Sequence, residues 1–236
     1  MALIKSSEKN GLLEVSFHDV TSRNSFSLEA ALELQSALAR ADQCSALVFR
    51  APGRVFCSGG QLDDYAQMEV ASEGIEVNNR IRSALAELDG LEIPTVCAVT
   101  GDCFGGGIEL MSAFDFVLAT PNALFGLWQR RIGLSFGWGG GARIEERIGT
   151  QKLRAWSLSS QLIGADEALK AGLVDEVHHE GKILERAEVL ARTLAQLPSA
   201  PVSHLKKYEA ENEVSAFNEL WWNPEHRQIL DRRKKR

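Results

Sequence analysis

Short apolar runs alternate with stretches of helical spacing along this chain, and this alternation is the strongest constraint on its fold. The segment LLEVSFHD alternates apolar and polar residues, which predicts a half-buried strand, and a helix is predicted to follow with Ser27 as its N-cap. Further strands are predicted in SALVFRA, IPTVCAVTG, DFVLATP, ALFGLW and LVDEVHH, and an amphipathic helix is predicted to end at Gly90. Strands that alternate with helices predict an α/β domain.

The composition limits the class of protein. Charged residues make up 25% and hydrophobic residues 44% of the 236 positions, as in an ordinary globular domain. The formal net charge of -6 does not favour general binding to nucleic acids or to membrane surfaces. No stretch approaches the roughly 18 apolar residues of a transmembrane helix, and the first residues lack the apolar segment of a signal peptide. We therefore expect a cytoplasmic protein.

The cysteines and histidines show no pattern of metal ligands. The spacings among Cys44, Cys57, Cys97 and Cys103 match neither a CxxC motif nor a zinc site, so reduced thiols are expected. The histidines form no metal-binding spacing either. We predict no metal site.

The segment FGGGIELMSAFD, residues 104–115, begins a predicted helix with three glycines. Each glycine weakens a helix by about 1 kcal/mol relative to alanine, so this start indicates a need for bare backbone. The first N–H groups of a helix have no internal partner and can hold an anion or a developing oxyanion. Glu109 lies three residues after Gly106 and shares its helical face. This layout predicts proton transfer beside a carbonyl group.

A second glycine-based donor is predicted in FCSGGQL, residues 56–62, which follows a predicted strand. Two backbone N–H groups from separate loops form an oxyanion hole if they converge on one carbonyl oxygen. Their convergence depends on the fold and does not follow from their spacing along the chain.

Several ordered blocks carry a resemblance to a known family. They are VFCSGGQL, the long block from PTVCAVTGDCFGGGIELM to GWGGGARIEERIG, and ALKAGLVDEV. In this order they resemble the crotonase family, also called the enoyl-CoA hydratase/isomerase family, and the likeness extends from RNSFSLEA to the tail ILDRRKKR. The resemblance implies a spiral of ββα repeats over residues 1–195 and a helical C-terminal trimerisation region over residues 196–236. It also implies self-association as a homotrimer or hexamer.

The resemblance further implies an acyl-CoA substrate, with coenzyme A as part of the substrate and no separate cofactor. By motif position, the oxyanion N–H groups are those of Gly60 and Gly106. Ser58 and Leu62 are expected along the path of the CoA chain, and Arg23 is expected near its adenine or phosphate groups.

The main departure from the family's hydratases lies at the second of their two catalytic glutamates. The first falls on Glu109, but the second falls on Gln129, whose amide cannot act as a general base. The family's decarboxylases of methylmalonyl- and ethylmalonyl-type CoA esters resemble this chain more closely, because they keep the first glutamate and lack the second. The block SFGWGGGARIEERIG of this chain is also similar to theirs, with Trp138 where a hydratase usually has a smaller residue.

The resemblance therefore favours decarboxylation of a malonyl-type CoA thioester, with the resulting enolate held in the oxyanion hole. We expect Gln129 and Trp138 to contact the substrate. An apolar pocket formed by Trp128, Phe136 and Trp138 would favour loss of the charged carboxylate.

Alternative interpretations stay open. The chain could be a hydratase or isomerase that uses Glu109 alone, or a non-catalytic CoA-binding scaffold whose tail DRRKKR contacts RNA or an acidic partner. Glu109 could instead form a buried structural ion pair, and the tryptophans could be core residues. Arg130 and Arg131 are expected to be solvated or to face another subunit.

Overall fold

The computed structural model describes residues 2–221 and 223–234, and its first part repeats a pattern of two strands followed by helix. The first unit is β1 (Ile4–Lys9), β2 (Leu12–Phe17) and α1 (Leu28–Leu38). The second is β3 (Ala46–Arg50), β4 (Val55–Cys57), α2 (Leu62–Ala66) and α3 (Ala71–Asp89). The third is β5 (Thr95–Val99), β6 (Asp102–Phe104) and α4 (Gly106–Met111). The fourth is β7 (Phe116–Ala119), β8 (Leu124–Gly126), a 3₁₀ turn (Gln129–Ile132) and α5 (Gly140–Ile148).

The remaining elements are mostly helical. They are α6 (Thr150–Ser159), β9 (Ile163–Gly164), α7 (Ala165–Ala171), β10 (Glu176–Val177), α8 (Glu180–Ala195), α9 (Val202–Lys206), α10 (Glu213–Leu220) and α11 (Pro224–Lys234). The division into residues 1–195 and 196–236 stays a prediction, and α8 ends at Ala195. The predicted tail contacts of DRRKKR include residues 235 and 236, which lie outside the described residues.

The strands form two sheets, and the repeating units explain which strand joins which sheet. The six-stranded sheet has the order β1-β2-β3-β5-β7-β10, and the four-stranded sheet has the order β4-β6-β8-β9. The first strand of each later unit therefore enters the large sheet, and the second enters the small one. The predictions of an α/β fold, of ββα repeats and of a helical C-terminal region are confirmed.

Alternation along the central strands gives the large sheet two apolar faces, as expected for a mainly parallel sheet. On one face, Val48 of β3 and Val96 of β5 pack with Ile183 and Ala187 of α8. The main core lies on the other face and joins the large sheet to the small one. Because both faces are covered, the parallel strands of this sheet are fixed in register.

A cluster of phenylalanines links the core to the glycine loops. The Phe17 ring makes edge contacts with Phe26, Phe49 and Phe56 at centroid distances of 6.1, 5.2 and 6.2 Å. Edge-to-face packing of this kind is favourable beyond simple burial. Phe26 also contacts the ring of Trp138 at 5.8 Å, so the core continues up to the candidate site.

Candidate active site

Parallel pairing of two three-residue strands brings the two glycine loops together. In the pairing of β4 with β6, Val55 faces Asp102 and Cys57 faces Cys103, so the loops that follow begin at one edge of the small sheet. A Cβ added to Gly59 would lie only 3.3 Å from the Gly106 nitrogen. The two segments that the sequence places far apart are therefore in van der Waals contact.

The two amides predicted as oxyanion donors are without protein acceptors. Within the described ranges, neither the Gly60 N–H nor the Gly106 N–H donates a hydrogen bond to another protein group. The isolated bridge between Phe26 and Gly60 uses the Gly59 carbonyl, which accepts from the Phe26 N–H at 2.8 Å. Both amides are thus free to donate to a bound carbonyl oxygen.

Glu109 lies on α4 with its carboxylate buried and fully engaged; the residue is 2% exposed. Its Oε2 accepts from the backbone N–H groups of Trp138 at 2.8 Å and Gly140 at 3.1 Å. Its Oε1 accepts from the Gly137 N–H at 3.4 Å and from Gln129 Nε2 at 3.2 Å. The carboxylate therefore caps the start of α5, where unpaired N–H groups favour a negative charge.

The glycines at the start of α5 fit this arrangement. A Cβ added to Gly140 would lie 2.5 Å from the Glu109 Cβ, so only glycine lets the helix start approach the glutamate so closely. The Arg143 guanidinium donates to the Glu109 backbone carbonyl at 3.2 Å, and among the described residues no ion pair to its carboxylate is formed. The alternative of a buried ion pair is thus replaced by a contact between a carboxylate and backbone N–H groups.

Trp138 lies across both glycine loops and is 5% exposed. A Cβ added to Gly60 would lie 3.4 Å from Trp138 Cζ2, and one added to Gly106 would overlap the six-membered ring. The backbone N–H of Trp138 is held by Glu109, and its indole Nε1 donates to Asn78 Oδ1 at 2.7 Å. The ring is therefore fixed at both ends beside the predicted oxyanion hole.

Asn78 and Tyr65 are site residues that the sequence did not indicate. Asn78 Oδ1 also accepts from the Tyr65 hydroxyl at 3.0 Å, and Asn78 Nδ2 donates to the Gly74 carbonyl at 2.6 Å. Burial raises the pKa of Tyr65, so its hydroxyl stays a donor. A signal existed, because Asn78 extends the buried stripe of α3 that contains Ile81 and Leu85 at helical spacing.

These groups line one cavity of about 490 Å³. Its inner end carries Gly60, Gly106, Glu109, Gln129 and Trp138 together with Tyr65 and Asn78. Its rim carries exposed apolar side chains from three segments, which are Leu62, Ile75, Ile132 and Leu134. An apolar cavity with a few convergent polar groups is typical of a small-molecule site.

Three of the five predicted substrate contacts line this cavity, namely Leu62, Gln129 and Trp138. The other two, Ser58 and Arg23, do not line it. The Ser58 N–H donates to the Arg23 carbonyl at 3.1 Å, and Arg23 is exposed with a φ of 57°. Asn24 holds this turn by donating to the carbonyls of Pro52 and Val55 at 2.9 and 2.7 Å. The roles of Arg23 and Ser58 toward CoA stay predictions.

The expected pocket of three aromatic residues is wrong for two of them. Of Trp128, Phe136 and Trp138, only Trp138 lines the cavity. Trp128 stacks on Phe104 with centroids 4.0 Å apart and an angle of 7°. It folds back in this way because Gly126 is bare; a Cβ there would overlap its indole.

The Arg130 and Arg131 side chains hold the loop that presents Gln129. Arg131 Nη2 donates to the Ser160 carbonyl at 2.6 Å, and Arg130 donates to the Leu158 carbonyl. The Arg131 guanidinium also lies 4.1 Å from the centroid of Trp128. Both residues are exposed to solvent, and their side chains also contact the end of α6. That they face another subunit stays a prediction.

Nucleophilic and metal chemistry find no support in the described residues. Burial raises the pKa of the Cys57 thiol to about 12, so it stays protonated and a weak nucleophile. No cluster of three or more His, Cys, Asp or Glu side chains in the described ranges could hold a metal ion. Every helix in those ranges is too short or too polar to cross a membrane.

Comparison with known proteins agrees with this architecture. A family model for enoyl-CoA hydratase/isomerase matches residues 7–219. The enoyl-CoA hydratase from Bacillus anthracis is similar at 24% identity and a TM-score of 0.91, over 99% of this chain and 96% of that chain. The enoyl-CoA hydratase from Mycobacterium smegmatis is 19% identical with a TM-score of 0.90, over 99% and 97% of the two chains. Human enoyl coenzyme A hydratase domain-containing protein 3 is 20% identical with a TM-score of 0.89, over 99% and 98%.

The ββα repeats, the two sheets and the cavity beside two glycine loops define an α/β protein with a candidate small-molecule site. At these identities the solved structures establish the fold alone. The match of the family model over most of the chain establishes more, and the chain belongs to the enoyl-CoA hydratase/isomerase family. The predicted family resemblance is confirmed.

Proposed function

We propose that this protein decarboxylates a malonyl-type CoA thioester. One observation carries the proposal: the cavity pairs Glu109 with the amide of Gln129 rather than with a second carboxylate. Hydration of a double bond needs one group to activate water and another to deliver a proton. Loss of CO2 needs neither a base nor a nucleophile, so this set of groups suits it better.

The reaction would proceed with the thioester oxygen between the N–H groups of Gly60 and Gly106. The bond between the α carbon and the carboxylate breaks, and its electron pair forms the enolate while CO2 leaves. The enolate oxygen then receives both hydrogen bonds, worth about 3–4 kcal/mol per donor by analogy with other oxyanion holes. A proton delivered to the α carbon completes the acyl-CoA product.

The surroundings of the two amides favour this chemistry. Trp138 covers the two loops with an apolar ring, and apolar surroundings strengthen each hydrogen bond to the enolate. Glu109 fixes the Trp138 backbone and the start of α5. Its direct participation in catalysis stays a prediction.

The proposal is tested by incubation with malonyl-, methylmalonyl-, ethylmalonyl- and crotonyl-CoA. We expect a loss of CO2 mass from one or more malonyl-type esters and little change in crotonyl-CoA. Hydration of crotonyl-CoA without any decarboxylation would contradict the proposal. Calorimetry with acetyl-CoA, which cannot decarboxylate, tests CoA-thioester binding separately.

Hydration of an enoyl-CoA is the second candidate, and one observation favours it. The buried Gln129 Oε1 has no hydrogen-bond partner among the described residues, although it lies beside Glu109, and this pair could bind a water molecule. Gln129→Glu would supply the second carboxylate. If hydration is the latent activity of the site, this variant should hydrate crotonyl-CoA about 10²–10⁴ times faster than the wild type.

We also propose self-association as a homotrimer or hexamer. The C-terminal helices and the segment before them expose large apolar side chains, namely Leu197, Leu205, Val214, Phe217 and Trp221. Phe217 and Trp221 are in contact, with ring centroids 5.4 Å apart, and contiguous exposed apolar surface is unusual on a monomer. Light scattering at micromolar concentration should give a mass of three or six chains, and a mass of one chain would contradict the proposal.

A further inference from the structure

The inner end of the cavity has one feature that the proposed reaction does not require. The Trp138 ring contacts the glycines of both loops, although either loop could present its N–H without it. A ring in this place costs the protein space next to the reacting group. Its position therefore bears on which acyl groups the site accepts.

The geometry relates the ring to one atom of the substrate. A thioester oxygen held by both amides lies about 2.7–3.1 Å from each nitrogen, and the α carbon is one further bond from the carbonyl carbon, about 1.5 Å away. Atoms of the Trp138 ring would overlap a Cβ added to Gly106 and would lie 3.4 Å from a Cβ added to Gly60, where Tyr65 Cε2 lies at 3.3 Å. A group on the α carbon that points toward the two glycines therefore meets this ring, and on the Gly60 side it also meets Tyr65.

The ring is also held in place by several contacts. Its Nε1 donates to Asn78 Oδ1 at 2.7 Å, its backbone N–H donates to Glu109 Oε2 at 2.8 Å, and its edge packs against Phe26 at 5.8 Å. Asn78 is itself fixed through Tyr65 and the Gly74 carbonyl. Displacing the indole would leave the half-buried Asn78 oxygen with one donor fewer, so the ring cannot move aside without loss.

We propose that Trp138, positioned by Asn78, restricts the α carbon of the acyl group to small substituents. The inference rests on the proposed placement of the thioester oxygen at Gly60 and Gly106. It differs from the proposed decarboxylation, because it concerns which acyl groups bind and not what happens to them. The apolar rim of Leu62, Ile75, Ile132 and Leu134 is open and does not impose this limit.

The test measures binding of CoA thioesters that cannot decarboxylate. Calorimetry gives the dissociation constants of acetyl-CoA, isobutyryl-CoA and 2-ethylbutanoyl-CoA, which differ in the groups on the α carbon. We expect the wild type to bind 2-ethylbutanoyl-CoA at least about tenfold more weakly than acetyl-CoA, since added methylene groups change recognition by about 10–200-fold. Trp138→Leu should reduce this ratio by about tenfold.

Two further variants separate the effect of the Trp138 ring from a general effect on folding. Trp156→Leu makes the same change at another buried tryptophan, which lies on α6 outside the cavity, and should leave the ratio unchanged. Asn78→Ala keeps the ring but removes its acceptor and should reduce the ratio by about fivefold, the equivalent of one hydrogen bond. Circular dichroism identifies folded variants. If Trp138→Leu does not fold, Asn78→Ala decides the outcome.

The outcomes separate this inference from the proposed function. Equal binding of the three thioesters by the wild type, or an unchanged ratio in the folded variants, would overturn the restriction by Trp138. A relaxed ratio in Trp138→Leu, with no decarboxylation by the wild type, would support the restriction and reject decarboxylation. Absence of binding by every thioester would reject both.

Discussion

The two ends of the cavity are built in opposite ways. At the inner end, Glu109 and Trp138 are buried, and each forms hydrogen bonds with residues of more than one element. At the rim, Ile75 and Leu134 are exposed apolar side chains from a helix and a loop. Close packing and hydrogen bonds keep the inner end ordered, whereas the rim leaves apolar surface in contact with solvent.

This difference indicates that the inner end serves the reaction and that the rim serves binding. Groups that act on a developing charge must be preorganised, because a hydrogen bond that forms only after reorganisation stabilises the transition state less. Groups that bind an apolar chain need only surface to cover. Changes at the inner end should therefore affect the reaction and the stability of the fold, and changes at the rim should affect binding alone.

The largest effect is expected from Gly106→Ala. The added methyl group would overlap the Trp138 ring and displace either the ring or the Gly106 N–H from its place. Loss of one oxyanion donor reduces turnover by about 10²–10³-fold in other enzymes, and we expect a loss of this size in kcat. The measurement is the rate of CO2 release from the best malonyl-type substrate.

Gly164→Ala is the matched control for this change. Gly164 has open space where a Cβ would lie and an ordinary φ of −76°, so alanine should be tolerated there. A Gly106→Ala enzyme as active as the Gly164→Ala enzyme would show that the inner end is not preorganised as described.

The next effect is on stability. Glu109→Gln would replace one acceptor oxygen by an NH2 group, so that two of its four donors lose their acceptor. An unsatisfied buried group costs about 1–3 kcal/mol, and we expect a loss of this size in the free energy of unfolding. Urea denaturation measures it. Unchanged stability together with a large loss of kcat would instead assign Glu109 a purely catalytic role.

Part of this comparison could be predicted from the sequence. The helix capped by Ser27, the helix that ends at Gly90 and the glycine-rich start of α4 follow from local signals, and the structure confirms them. Strands β4 and β6 were not predicted, because three residues are too few to show periodicity. Their pairing brings the two glycine loops together, so the convergence of these loops depends on a long-range contact that spacing cannot reveal.

The aromatic residues show the same limit. Trp128 and Trp138 are the same residue type, and both were expected to line the apolar pocket. Only the structure separates them, because bare backbone at Gly126 lets one fold back onto Phe104, and Asn78 draws the other into the cavity. The role of a large side chain was thus decided by its neighbours in space.

A smaller effect is expected at the rim. Leu134 is 64% exposed, so Leu134→Ser should change the free energy of unfolding by less than about 0.5 kcal/mol. It removes apolar surface that a bound thioester would cover, and full burial of a leucine is worth about 1.5–3 kcal/mol. Partial coverage should raise the dissociation constant of acetyl-CoA about threefold to tenfold, with little change in kcat.

Leu158→Ser is the control for the rim, since Leu158 is exposed on α6 outside the cavity. Calorimetry measures the dissociation constant of acetyl-CoA for both variants. Equal affinity of the two variants for acetyl-CoA would show that the rim does not bind the ligand, and the binding role assigned to the rim would then be rejected.

The smallest effect is expected far from either end of the cavity, at the edge strand β10. Hydrogen bonds from Arg186, at 2.8 and 2.6 Å, and from His178, at 2.6 Å, lower the pKa of Glu176. A carboxylate with a depressed pKa contributes stability above its unfolded pKa of about 4.3, and the contribution is lost as the pH falls through the folded pKa. Glu176→Gln should therefore lower the free energy of unfolding by about 0.2–1 kcal/mol at neutral pH, as for a partly exposed ion pair.

Denaturation from about pH 5 to pH 2 should show the wild type and Glu176→Gln converging in stability, because the wild-type carboxylate becomes protonated over this range. Catalysis and thioester binding should not change. A loss of CO2 release in this variant would mean that the sheet edge is coupled to the cavity, and the inner end could not then be treated as an independent unit.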